Sequence, residues 1–118
     1  MLYKNLNIVN LTPHTINLMV NGEDIAFPSE GNLRVNNGAG KPIPNVQGLP
    51  LFGPDVPGNP SLELPAQKND TIYIVSGVVG PILKEMGRTD VFVPGTGPAD
   101  EAIRENGQIK AVTRFKRP

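Results

Sequence analysis

The chain has no cysteine, no tryptophan and one histidine, with only 2 tyrosines and 4 phenylalanines in 118 residues. Without cysteine there is neither a disulfide framework nor a thiolate metal site, and a single histidine excludes a histidine-rich metal site within one subunit. No metal and no cofactor is therefore expected. An excess of either charge is also missing: 11 Lys and Arg balance 11 Asp and Glu. The global field then favours neither a nucleic acid polymer nor a membrane surface. No apolar run approaches the ~20 residues that span a bilayer. The opening residues, Met1 to Asn5, carry no basic stretch followed by an apolar one. A cytoplasmic protein is the expectation.

Glycine and proline, at 13 each, are what the chain has in abundance. Much of the backbone must then be turns and extended loops, and the supply of core side chains is thin. The length predicts a single domain over residues 1–118. A small domain with this much irregular chain gains stability by burying surface between subunits, which predicts a homo-oligomer.

The hydrophobic pattern predicts an α+β fold, a small mainly antiparallel β-sheet or partial barrel. Leu6 to Leu11 and Ile16 to Val20 read as strands. Asn21-Gly22 is a hairpin signal, with Ile25 to Phe27 returning and Leu33 to Val35 adding a short strand, so the first third reads as a β-meander. Residues 36–69 are a long Pro/Gly-rich excursion with one or two edge strands, pinned to the body by its Leu, Val and Phe side chains. Thr71 to Ser76 is a continuous β-branched run expected at the centre of a sheet. Val78, Val79, Ile82, Leu83 and Met86 fall at helical spacing, which predicts one short helix over about 78–86, with Gly87 as its terminator. Val91 to Val93 reads as a further strand, Asp100 to Asn106 as one helical turn, and Gln108 to Phe115 as the last strand. On that last strand lysine and arginine alternate with an apolar face, a pattern that guards an exposed edge or meets a ligand.

The sharpest local signal is Asn10-Leu11-Thr12-Pro13-His14-Thr15-Ile16. Proline interrupts a strand, and Asn10 and Thr12 carry side chains that bond nearby backbone in turns. This strand corner is either a structural knot or one wall of a binding pocket. Ser76, before the helix, is either a cap or an added donor at an anion site. Arg88 and Asp90 share one side of an extended segment and either pair with each other or face a ligand. Arg34, Arg88 and Arg104, on three different elements, are candidates for bidentate phosphate contacts, with Asp90 accepting hydroxyl or amino donors. No catalytic residue is assigned. Ser76, His14 and Asp90 are the residue types of a hydrolase, but no Gly-x-Ser-x-Gly elbow surrounds the serine. The carboxylate pairs Asp100-Glu101 and Glu23-Asp24 read as solvated surface.

Taken together, Asn10 to Ile16, Pro28-Ser29 with Arg34-Val35, Gly48-Leu49-Pro50, Tyr73 to Ser76, Arg88-Thr89-Asp90 with Pro94, and Ile103-Arg104 before Gly107 resemble a family of small proteins of phages, prophages and bacteria. The first and fourth blocks are the specific ones, and the likeness spans most of the chain. Small phage proteins without catalytic motifs include sponges that sequester host immune nucleotides. The resemblance thus implies a non-catalytic protein, acting in the cytoplasm of a bacterial host, that sequesters a cyclic oligonucleotide or a cyclic ADP-ribose type of signal. Asn10, Thr12, His14, Arg34, Ser76, Arg88, Asp90 and Arg104 are then its ligand-binding residues. The alternatives are a phage structural or interaction module, such as a minor virion protein, and a small hydrolase.

Overall fold

The described residues hold eleven strands and one helix, and the largest sheet is mixed, with a parallel centre. In this computed structural model the described residues are 1–35, 38–56, 58, 60–61 and 64–118. The fold is mostly β with one short helix. Two compact units divide the chain, one built from Met1–Leu33 with Pro65–Pro118, the other from Arg34–Leu64.

In the first unit the strands are β1 (Leu2–Tyr3), β2 (Leu6–Asn10), β3 (Ile16–Val20) and β4 (Glu23–Phe27), and then, after the second unit, β7 (Thr71–Ile74). Helix α1 (Gly80–Glu85), β8 (Val91–Pro94), β9 (Ile103–Glu105), β10 (Gln108–Ala111) and β11 (Phe115–Lys116) complete it. The main sheet runs β1-β2-β7-β8-β11, with β7 in the middle as its β-branched sequence predicts. Among the described residues five of the seven strand pairs are antiparallel, in keeping with the mainly antiparallel expectation, but at the centre of the main sheet β2 and β8 both run parallel to β7, with Ile8 opposite Ile72 and Tyr73 opposite Val91. Helix α1 supplies the crossover that a parallel β7–β8 pair requires. The helix is shorter than the apolar spacing suggests: Val78 and Met86 are exposed, and Pro81 sits in its first turn.

The first third is not a meander. The corner after Asn10 carries the chain out of the main sheet, and β3 and β4 form their own ribbon. Asn21 and Gly22, at φ 51° and 77°, make the tight turn between them. Asn106 and Gly107, at φ 53° and 78°, do the same between β9 and β10, so a hairpin stands where one helical turn was expected. The expected last strand breaks after Ala111; Val112 instead bridges to Leu18, joining the β3–β4 ribbon to this end of the chain. Ile8, Leu18, Phe27, Ile74 and Val112 form the core where the sheet and ribbon meet.

The second unit contains β5 (Pro42–Val46) and β6 (Leu49–Phe52), paired antiparallel through a turn at Gln47 and Gly48. Below them Gly53 N–H donates to the Lys41 carbonyl at 2.8 Å, Gly38 bridges Val56, and Val35 bridges Pro60. One long hairpin accounts for all of these pairs. Residues 36, 37, 57, 59, 62 and 63 lie outside the described set. Val46, Leu49 and Phe52 are exposed here. No helix among the described residues is long and apolar enough to cross a membrane.

Candidate functional site

Proline 13 has no N–H to continue a ladder, so the end of β2 needs side chains to hold its corner. Asn10 does this with no exposed surface. Its Nδ2 donates to the carbonyls of His14 at 2.8 Å and Phe27 at 2.9 Å, while its Oδ1 accepts the Thr12 N–H at 2.9 Å and the Thr12 hydroxyl at 2.7 Å. Ser29 Oγ donates to the Thr12 carbonyl at 2.6 Å. Asn10 is thereby spent on the corner. The three residues that follow Thr12, namely Pro13, His14 and Thr15, are pushed outward into solvent.

They form one wall of a cleft of about 470 Å³. A second wall is Ser76-Gly77 after β7, a third is Pro94 and Thr96 at and after the end of β8, and the remaining side is Ile109 to Val112. The cleft thus sits beyond the carboxyl ends of the parallel strands β2, β7 and β8, where open sheets with parallel strands place their ligand crevices. An antiparallel expectation had no reason to bring these strand ends together.

The loop bearing Thr96 is held by Asp100, a residue read from sequence as solvated but in fact buried. Its Oδ2 accepts the Gly97 N–H at 2.8 Å and Lys116 Nζ at 3.1 Å, and its carbonyl accepts the Thr113 hydroxyl at 3.0 Å. The Gly97 N–H first, then Lys116, holds the Asp100 carboxyl below the usual carboxylate range. Arg104 Nη2 donates to the Thr96 carbonyl at 3.2 Å, which places a cation directly behind this wall.

The polar groups of the cleft differ in how far they are committed. Ser76 Oγ accepts the Val79 N–H at 3.3 Å and so braces the turn into α1, a helix of six residues with little dipole to offer an anion. By contrast the His14 imidazole and the hydroxyls of Thr15 and Thr96 have no hydrogen-bond partner among the described residues. Lys110 Nζ lies 3.5 Å from Glu105, both side chains 65% exposed. A pair so solvated is worth only ~0–1 kcal/mol and leaves the ammonium available. The floor is apolar, with Ile16, Ala111 and Val112.

Arg88 and Asp90 stand apart from the cleft. Arg88 Nε and Nη2 donate to the two Asp90 oxygens at 2.9 and 2.7 Å, and Nη1 donates to the Pro65 carbonyl at 2.8 Å. The guanidinium also lies 5.9 Å from the Tyr73 ring centre. The mutual hydrogen bonds, outweighing the opposing effect of burial, raise the Arg88 pKa and lower that of Asp90. Each guanidinium nitrogen of Arg88 and both carboxylate oxygens of Asp90 thus have a partner within the scaffold. Arg34 belongs to the second unit, where its backbone N–H donates to Ser61 Oγ at 2.8 Å.

Of the eight residues singled out from sequence, Thr12, His14 and Ser76 line the cleft and Arg104 backs it. Asn10 and the Arg88–Asp90 pair do not line it. Lys110, Thr15 and Thr96 join the wall without having been singled out; the alternation of Lys110 with Ile109 was the available signal. No group of three or more acidic or histidine side chains suited to a metal gathers among the described residues. Compared with protein-family models, curated proteins and solved structures, the chain matches none.

Proposed function

We propose that this chain is a non-catalytic binding protein that sequesters a nucleotide-derived immune signal on behalf of a phage, in the cytoplasm of its bacterial host. The ligand is of the cyclic oligonucleotide or cyclic ADP-ribose type. The observation that carries the reading is the cleft beyond the parallel strand ends, which pairs an apolar floor with uncommitted polar groups. Its volume of about 470 Å³ falls within the range of small-molecule sites. Ile16, Ala111 and Val112 suit the face of a base, His14 and the threonine hydroxyls suit its edge or a ribose, and Lys110 suits a phosphate. The resemblance of the Asn10–Ile16 and Tyr73–Ser76 blocks to small phage proteins points the same way.

Hydrolysis finds less support in this arrangement. Ser76 and His14 line one cleft, but both oxygens of Asp90 are taken by Arg88, so that carboxylate is not available to orient the imidazole. The test is to incubate the protein with cyclic dinucleotides, cyclic trinucleotides and cyclic ADP-ribose isomers, remove free ligand, denature the complex and analyse the supernatant. Tight binding with intact ligand released supports sequestration. Conversion to product replaces it with catalysis, and retention of none of these compounds rejects the nucleotide reading.

A further inference from the structure

The β9–β10 hairpin is irregular at one position. Arg104 lies opposite Ile109 and Ile103 opposite Ala111, so Lys110 is an extra residue on its strand, a β-bulge. A bulge bends its strand and re-aims the side chain it carries, and such features gather beside binding sites. Here it sets Lys110 between two recesses, both in the first unit. One is the cleft beyond the parallel strand ends. The other, of about 410 Å³, is lined by Glu105, Asn106, Gln108, Ile109 and Lys110, so the two recesses meet at Ile109 and Lys110.

We infer, on the nucleotide reading of the cleft, that this second recess is a subsite for a second base of the same ligand, a guanine, and that the ligand is therefore a cyclic oligonucleotide rather than a cyclic ADP-ribose. The cleft offers one apolar floor and, among the described residues that line it, one lysine and no arginine. That provision suits one base and one phosphate. A cyclic dinucleotide carries two of each, whereas cyclic ADP-ribose has a single base. The adjoining recess supplies different chemistry. The Glu105 carboxylate only accepts hydrogen bonds, and the amides of Asn106 and Gln108 each donate and accept. Neither amide has a side-chain hydrogen-bond partner among the described residues. A guanine edge presents N1–H and N2–H as adjacent donors beside the O6 acceptor, which matches a carboxylate flanked by an amide. The adenine edge sets the N1 acceptor beside its N6 donors, and a carboxylate repels that lone pair. Ile109, 38% exposed, gives the ring an apolar contact. Glu105 is meanwhile paired with Lys110 at 3.5 Å, both side chains 65% exposed, and a pair so solvated changes partners at little cost. Once a phosphate takes the ammonium, the carboxylate is left for the base.

Calorimetric titration of the full chain should show the cyclic dinucleotide of two guanosine monophosphates bound roughly tenfold or more tighter than that of two adenosine monophosphates, and tighter than cyclic ADP-ribose. Glu105→Gln keeps the side-chain shape but replaces one acceptor oxygen by a donor, and should bring the guanine-to-adenine ratio down to about threefold or less. Its denaturation midpoint should match the parent's, because the pair it breaks is solvated. In an NMR titration with the guanine dinucleotide, the amides from Glu105 to Lys110 should shift together with those of His14 and Thr15. Equal affinity for the three ligands overturns the second subsite while the cleft reading stands. A guanine preference that survives Glu105→Gln, or shifts confined to the cleft residues, overturns it as well. Binding of none of the three overturns the nucleotide reading and the subsite together.

Discussion

The Asn10 side-chain oxygen accepts both the backbone N–H and the hydroxyl of Thr12, at 2.9 and 2.7 Å, from a position with no exposed surface. One amide thereby replaces the backbone ladder that Pro13 interrupts. Its other end holds the carbonyls of His14 and Phe27, tying the β2 corner to the end of β4.

Substituting Asn10 by Ala removes these partners at once: the buried Thr12 N–H loses its acceptor and each carbonyl loses a donor, with the His14 carbonyl keeping the Thr12 hydroxyl at 3.0 Å. Each buried unsatisfied group costs about 1–3 kcal/mol, so Asn10→Ala should destabilise the first unit by about 2–5 kcal/mol. Asn10→Asp should be no better, since a carboxylate cannot donate to the two carbonyls. Thr12→Val, which loses the hydroxyl and keeps the N–H, should cost about 1 kcal/mol. Urea denaturation of the variants checks the order.

The Arg88–Asp90 pair makes a pH-dependent contribution whose sign follows from its direction of shift. The folded Asp90 pKa lies below the unfolded value of roughly 3.9, so the unfolded state binds more protons there and stability rises with pH. The contribution is complete above the unfolded value and is lost as pH falls through the folded one. Asp100 shifts the same way. Denaturation midpoints should therefore be flat from pH 7 to about 5 and fall below about 4. With Asp90 only 3% exposed in its side chain, Asp90→Asn should cost about 2–4 kcal/mol at pH 7 and flatten the acid limb. An unchanged acid limb in that variant would show that other carboxylates govern it.

What could be read without coordinates was local chemistry. The β-branched run of β7, the Asn21-Gly22 turn and the proline corner each declare themselves within a few residues, because dihedral preference and burial act there together. What could not be read was which strands pair. Strand alternation is blind to direction, so the parallel β2–β7–β8 centre stayed hidden, and with it the meeting of His14, Ser76 and Thr96 at one end. Asp100 misled for a related reason. Its Oδ2 accepts from Gly97 and from Lys116, and the lysine is 16 residues away, a contact that only the closed loop reveals.

Gly80 sets two effects against each other. Alanine is favoured over glycine within a helix by up to about 1 kcal/mol. A β-carbon at Gly80, however, would stand 2.6 Å from Val93 Cγ1 and 3.1 Å from Pro118 Cβ. Val93 is buried and β-branched, so it has little room to rotate away. Overpacking should win, and Gly80→Ala should lose about 1–3 kcal/mol net by thermal or urea denaturation. A stabilised variant would mean that α1 slides freely over β8.

For the cleft the expected signature is loss of binding without loss of stability. His14 and Lys110 are exposed, and no described hydrogen bond of the scaffold depends on the imidazole. His14→Ala and Lys110→Ala should therefore keep the parental denaturation midpoint to within about 0.5 kcal/mol. A charged hydrogen bond to phosphate is worth more than a neutral one, so Lys110→Ala should weaken nucleotide binding at least tenfold, about 1.4 kcal/mol, with a smaller loss for Lys110→Arg. Arg104→Ala should weaken binding less, because its guanidinium reaches the cleft only through the Thr96 carbonyl. Arg88→Ala should show the reverse, a loss of stability, since that guanidinium is held by Asp90 and Pro65. Calorimetric titration beside a denaturation curve for each variant separates the two groups. If Lys110→Ala binds as tightly as the parent while Arg88→Ala alone abolishes binding in a folded protein, the ligand sits at the Arg88 face and the cleft assignment falls.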